Sequence, residues 1–168
     1  MTTTGEGAGV DVDTYRHAMG RLARGVTVLT TTASGQDHAL TANSVTSVSL
    51  DPVLLLVCIE TDARFHDAVL ESQVFGVSLL AAGQRGLAAW FATPGRPLPG
   101  QLDRAPHTRG AAGVPLLDGA LASLECRVRD VHPAGDHSII VATVASARLA
   151  GDPQAALVHF RGQYSALP

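Results

Sequence analysis

The chain has 168 residues, 46% hydrophobic and 16% charged, enough for one domain with a real core and too apolar for a disordered chain. A net charge of −3 and 4% aromatic content supply neither a basic face nor a stacking platform for nucleic acid. All twelve basic residues are arginine, which excludes lysine Schiff-base chemistry and a P-loop lysine.

Residues 1–12 open on a Gly- and Thr-rich run and read as a flexible arm, leaving one domain over 13–168. No charged segment precedes an apolar one here, so no signal peptide is expected. Gly5-Glu6-Gly7-Ala8-Gly9 fails as a dinucleotide fingerprint because its third glycine is misplaced and no strand precedes it. Asp13 or Thr14 is placed to cap a helix over 15–23, with Gly25 ending it. Tyr15, Ala18, Met19 and Leu22 give that helix one apolar face.

The β-branched run over 26–32 reads as a well-buried strand, and Ser34-Gly35-Gln36-Asp37 turns the chain back through 38–43 as a hairpin. A third strand is expected over 45–50, broken by Asp51-Pro52, and a continuous apolar strand over 53–59. A short helix over 65–70, a strand over 74–80 and a helix over 83–91 follow. Five prolines fall over 93–116 (Pro94, Pro97, Pro99, Pro106, Pro115), which marks a long functional loop. The run 121–131 alternates, with Ala122, Leu124, Cys126 and Val128 inward and Ser123, Glu125, Arg127 and Arg129 outward. Pro133-Ala134-Gly135-Asp136 is a turn, 138–149 a long strand and 159–164 a last strand. Strands joined by short turns point to a closed antiparallel barrel with a few short helices.

Cys58 and Cys126 form no metal or CxxC spacing and read as two buried thiols. No apolar run reaches the roughly 18 residues of a membrane span, so a cytoplasmic protein is expected. There is no GxSxG elbow and no HExxH, and the seven histidines are scattered, so neither that class of hydrolase nor a metal site is indicated.

Three segments carry candidate chemistry. Thr41-Ala42-Asn43-Ser44-Val45-Thr46-Ser47-Val48-Ser49 is dense in hydroxyls and small side chains between buried strands. It reads either as a ligand-hugging backbone or as a Thr/Ser-rich edge strand. Gly135-Asp136-His137 puts a histidine at a barrel rim, to orient a ligand or to stand idle in solvent. In Arg161-Gly162-Gln163-Tyr164 the arginine suits a phosphate and the tyrosine a ring, or both belong to a plain terminal strand.

Taken in order, these segments resemble the short-chain flavin reductases that serve two-component flavin monooxygenases. Further matching pieces are Tyr15-Arg16-His17-Ala18-Met19, Gly25-Val26-Thr27-Val28-Leu29-Thr30-Thr31 and Leu50-Asp51-Pro52. Phe75-Gly76-Val77-Ser78-Leu79-Leu80, Leu87-Ala88-Ala89-Trp90-Phe91-Ala92 and Leu124-Glu125-Cys126 complete the set, which runs through nearly the whole chain. The resemblance implies a split β-barrel, a homodimer with flavin near its interface, FMN or FAD as acceptor, and NADH or else NADPH as donor. It implies Thr41, Ala42, Asn43 and Ser44 along the ribityl and phosphate, Ser47, Val48 and Ser49 at the isoalloxazine edge, and Phe91 beside it. It places His137, as the catalytic candidate, with Arg161 and Tyr164 where the nicotinamide docks.

One stretch departs from the family. After Cys58-Ile59-Glu60 the family commonly has a Ser and a Thr for the flavin phosphate, whereas this chain has Asp62 and Phe65. A carboxylate beside a phosphate needs an intervening cation, and Arg64 is positioned to be it. Cys58, Arg64 and Phe65 therefore join the cofactor-binding candidates. The expected activity is hydride transfer from NADH to flavin, with reduced flavin passing to a partner monooxygenase. The competing readings are a flavoenzyme acting on a small metabolite and a non-catalytic flavin- or haem-binding module.

Overall fold

A computed structural model describes residues 9–152 and 154–168; most of the expected arm, residues 1–8, lies outside them. Helix α1 (Val12–Met19) starts three residues earlier than expected, because the Asp11 side chain accepts the Thr14 N–H at 2.9 Å and caps it. It stops at Gly20, and Gly25 instead belongs to the short strand β1 (Arg24–Gly25).

The strands that follow are β2 (Thr27–Ala33), β3 (Gln36–Ala42), β4 (Thr46–Leu50) and β5 (Val53–Glu60). After α2 (Arg64–Ser72) and β6 (Val74–Leu79), a 3-10 turn at Ala82–Gln84 leads into α3 (Arg85–Ala92). The expected Pro-rich loop is interrupted by a small hairpin, β7 (His107–Arg109) and β8 (Pro115–Leu117). The chain closes with β9 (Ala122–Ala134), β10 (His137–Leu149), β11 (Ala156–Phe160) and β12 (Gln163–Leu167). The single last strand expected over 159–164 is thus a hairpin. Arg161 and Gly162 both take positive φ, 50° and 76°, and turn it in two residues, which an Arg-Gly pair does not announce as Asn-Gly would.

Seven strands form one antiparallel sheet in the order β3-β2-β6-β9-β10-β5-β4. The barrel is split rather than closed, since β3 and β4 are its two edges and do not pair. Leu29, Val57, Ile59, Phe75, Val77, Ile140 and, from α2, Phe65 and Val69 fill its interior. A second cluster covers the outer face of β2 and β3, where Val28 and Ala39 meet Ala88 and Phe91 of α3 and Leu102, Ala105 and Leu117. Burial on both faces explains why β2 is rich in β-branched residues with no polar–apolar alternation in its burial. β11 pairs with both β1 and β12 in a separate three-stranded sheet.

Glu125 corrects the alternation expected for β9: it is only 2% exposed. Its carboxylate accepts the Ala112 N–H and the Ser146 hydroxyl, each at 2.7 Å. Burial alone would raise its pKa; those donors, the Ala111 N–H and nearby Arg148 outweigh burial and hold it below the ordinary value. Of the two thiols, Cys126 is buried and pushed up to about 12, first by desolvation and then by Glu125, while Cys58 is only half-buried.

The β7–β8 hairpin seats directly on β6. A Cβ at Gly76 would stand 2.6 Å from Thr30 Oγ1 and 2.9 Å from the Pro115 carbonyl oxygen. Gly76→Ala is therefore expected to destabilise the protein by about 1–3 kcal/mol through overpacking. Gly83→Ala, with nothing within 4 Å, should stay within about 0.5 kcal/mol. Urea unfolding of the two variants beside the parent checks both values.

Candidate functional site

The split leaves the outward carbonyls of β3 without a neighbouring strand, and the Pro-rich loop satisfies them with side chains. Arg96 Nη2 donates to the Ala39 carbonyl at 2.6 Å, and Gln101 Nε2 to the Asp37 carbonyl at 2.7 Å. Arg96 Nη1 also donates to the carbonyls of Phe91 and Thr93 at the end of α3, and its guanidinium lies 5.6 Å from the Phe91 ring centroid. The Trp90 indole N–H donates to Gln101 O at 3.0 Å. Farther along, Arg109 forks onto both oxygens of Asp37, at 2.8 and 2.6 Å.

Strapped down this way, the loop walls a cleft of about 290 Å³ against β3 and the start of α2. His38, Arg64, Phe65, Phe91 and Arg96 line it together with Glu60 and Asp62. Arg64 donates one N–H to the Arg96 carbonyl at 2.5 Å. Ala63, the N-cap of α2, offers no side-chain cap; the His66 N–H bonds the Ala63 carbonyl at 2.8 Å, which leaves the N–H groups of Arg64 and Phe65 at the helix start. Among the described residues, Arg96 Nε is a buried polar atom without a partner. Arginine, imidazole and helix-end N–H groups together suit an anion.

Arg64, Phe65 and Phe91 of the sequence candidates share this cleft. The other candidates lie elsewhere along the split and beyond it. Thr41 Oγ1 donates to the Ala88 carbonyl at 2.7 Å and so ties β3 to α3. Ser44 Oγ donates to the Cys58 carbonyl at 2.9 Å and accepts the Cys58 N–H at 3.2 Å, pinning the half-buried link through Ala42 and Asn43 onto β5. Ser47 and Val48 are exposed on edge strand β4, where a bulge between Ser47 and Ser49 interrupts the register.

His137 opens β10 opposite Glu60, and its Nδ1 lies 2.7 Å from Asp136 Oδ1. That hydrogen bond, with the charge of His137, holds the Asp136 carboxyl below its ordinary value. The turn is fixed by the Thr61 N–H, which donates to Asp136 O at 3.0 Å. Next to it, Ser138 and buried His66 of α2 meet at 3.0 Å. Arg161 and Tyr164 sit in the other sheet: Arg161 stacks 5.1 Å from the Phe160 ring centroid, and Tyr164 meets His159 edge-on. One chain therefore does not gather all the candidates into one cavity.

His38, Arg96 and Gln101 escaped sequence reading. The available signal was an arginine between helix breakers, Gly95-Arg96-Pro97, in a loop already marked as functional.

A family model for a flavin reductase like domain matches residues 19–168. The chain is 40% identical over 157 residues to the NADH-dependent FMN reductase AsuE2 of Streptomyces nodosus subsp. asukaensis, covering 91% of this chain and 83% of that one. It superposes on the structure of BorF, the flavin reductase component of a bacterial two-component tryptophan halogenase, with TM-score 0.88. Identity there is 47%, over 94% of this chain and 99% of the other. The Streptomyces globisporus NADH:FAD oxidoreductase SgcE6, in complex with NAD and FAD fragments, matches with TM-score 0.86 and 33% identity, over 94% and 96%.

The wall of the cleft has a pH signature. Burial would raise the Asp37 pKa, but the hydrogen bonds from Arg109 and Thr32 and the charges of Arg109 and His107 bring it below 3.8. A depressed carboxyl stabilises above its unfolded value and loses that contribution as pH falls through the folded value. Asp37→Asn should cost about 1–2 kcal/mol at pH 7. The difference from the parent should shrink below about pH 4, as urea titrations at pH 7 and pH 3 would show.

Proposed function

We propose, from the premise that this chain belongs to the flavin reductase-like domain family, that its cleft takes the phosphate end of the flavin and its β4 edge the ring. The protein is an NADH-dependent flavin reductase: it passes hydride from NADH to FMN or FAD and supplies reduced flavin to a separate monooxygenase component. The observation that carries the placement is the cleft itself, where Arg64, His38 and Arg96 line the same space as Asp62 and supply the cations a phosphate needs beside that carboxylate. A volume of about 290 Å³ sits at the small end of ligand pockets, roughly 300–1,000 Å³, and suits a phosphate and ribityl chain better than a whole flavin.

When bound, the nicotinamide supplies a hydride from C4 and the flavin accepts it at N5. That exchange needs no protein acid or base, so the chain contributes position and electrostatics. Arg64 holds the phosphate and offsets the Asp62 carboxylate. Phe65 and Phe91 close the apolar wall. The outward N–H groups of edge strand β4, beside the bulge between Ser47 and Ser49, would offer hydrogen bonds to the flavin's pyrimidine edge where negative charge develops. His137, braced by Asp136, orients the nicotinamide carboxamide, with Arg161 and Tyr164 as further contacts for the nucleotide. The loop over 93–106 covers the phosphate and gates exchange of flavin.

A homodimer completes this site. Val48, Leu50 and Val53 are 47%, 85% and 48% exposed beside the unpaired edge of β4. Helix α1 has no buried residue, yet an eight-residue helix is marginal in water without cover. A second copy supplies that cover and brings groups such as Arg161 and Tyr164 toward the split of its partner. The described residues contain no helix long and apolar enough to cross a membrane, and both cysteines are free; a cytoplasmic enzyme fits both facts.

His137→Ala should raise KM for NADH about tenfold or more while changing flavin affinity less than threefold (about 1.4 against 0.6 kcal/mol). Unchanged nicotinamide kinetics would remove His137 from the site. Leu50→Asp should shift the protein from dimer to monomer in sedimentation analysis and lower its NADH oxidation with FMN. A fully active monomer would refute the shared site.

A further inference from the structure

The cleft contains a titratable side chain that hydride transfer does not use. His38 lies on β3 opposite Thr31 and is half-buried in the cleft wall. Two cations face the same space. Arg96 spends its Nη1 and Nη2 groups on the end of α3, on β3 and on the loop itself, bonding the carbonyls of Phe91, Thr93 and Ala39 and the Gln101 side chain. Arg64, on the first turn of α2, gives one N–H to the Arg96 carbonyl and has further N–H groups to offer. Arg64 and His38 are thus the adaptable polar pair of the cleft.

We propose that His38 is a proton-linked phosphate recognition residue, taking up a proton when a phosphate monoester enters the cleft beside Arg64. The proposal rests on the reading that the flavin phosphate occupies this cleft. Without a ligand, burial first and then the Arg64 charge hold His38 below its ordinary 6.5, against opposing pulls from Asp37 and Glu71. Glu60 and Asp62 line the cleft as well, and Arg96 adds positive charge. A phosphate dianion cancels Arg64 and adds acceptors, which favours the imidazolium. Above about pH 6.5 the monoester keeps its second charge, because its second ionisation lies near 6. One proton bound with the ligand then makes affinity rise as pH falls. A flavin without phosphate gains nothing from His38, so the pH dependence is confined to FMN, while Arg64 sets the preference for FMN over riboflavin. The pyrophosphate of NADH offers a related anion, and the test separates the two sources.

The experiment measures binding, not turnover. Flavin fluorescence gives Kd for FMN and riboflavin at pH 6.5 and 8.0. Calorimetry in two buffers of different ionisation enthalpy counts protons taken up with FMN and, separately, with NADH. The parent should bind FMN about three- to tenfold tighter at pH 6.5 than at 8.0, take up a fraction of a proton with FMN, and show no pH slope for riboflavin. His38→Gln should flatten the FMN slope while keeping a preference for FMN over riboflavin; Arg64→Gln should lose most of that preference. No proton uptake with FMN in the parent, or an intact slope in His38→Gln, overturns the role of His38 while Arg64 still governs the preference. A preference that survives Arg64→Gln, or proton uptake with NADH alone, overturns instead the placement of the flavin phosphate.

Discussion

A β-barrel that fails to close must do something with two edges, and this molecule treats them differently. β3 has its outward carbonyls capped by Arg96 and Gln101, side chains of a loop rather than another strand. β4 keeps its outer edge open, with Val48 and Leu50 in solvent. The split therefore creates a walled cleft on one side and a bare strand on the other, bridged by the link that Ser44 fastens to Cys58. A long, flat redox cofactor with an anionic tail needs both kinds of surface. The tail wants fixed cations, and the ring wants backbone groups it can approach closely.

The division of labour suits the chemistry. Hydride transfer asks the protein for geometry, so the residues that matter are anchors more than acids or bases. Arg96 is spent on the backbone, Asp37 is clamped by Arg109, and Glu125 is consumed by the turn at Ala112. Each of these groups ties a loop or the β7–β8 hairpin to a strand of the barrel. The adaptable groups are those left over: Arg64, His38 and the rim histidine His137.

The strands were legible because their signals are local. β-Branched runs, Ser34-Gly35 and Asp51-Pro52 place β2 to β5 within a residue or two. The helix α1 was misplaced by three residues because Asp11, Asp13 and Thr14 are all plausible caps, and only the hydrogen bond decides. Alternation points Glu125 outward because it describes a strand with one wet face, whereas the β7–β8 hairpin folds over the outside of this barrel and buries it. His38 and Arg96 were invisible for the same reason: their role depends on the loop over 93–101 returning to β3, a contact far along the chain. The candidate motifs were individually bland, and it was their order and spacing that identified the family.

Hydrogen–deuterium exchange with and without saturating FMN tests the placement of the flavin most directly. Amides over 63–66 at the start of α2 and over 93–96 in the loop should slow in the presence of FMN, and riboflavin should protect them less. Equal exchange in those two segments, with protection confined to the β11–β12 hairpin or absent, would contradict a flavin phosphate held in the cleft.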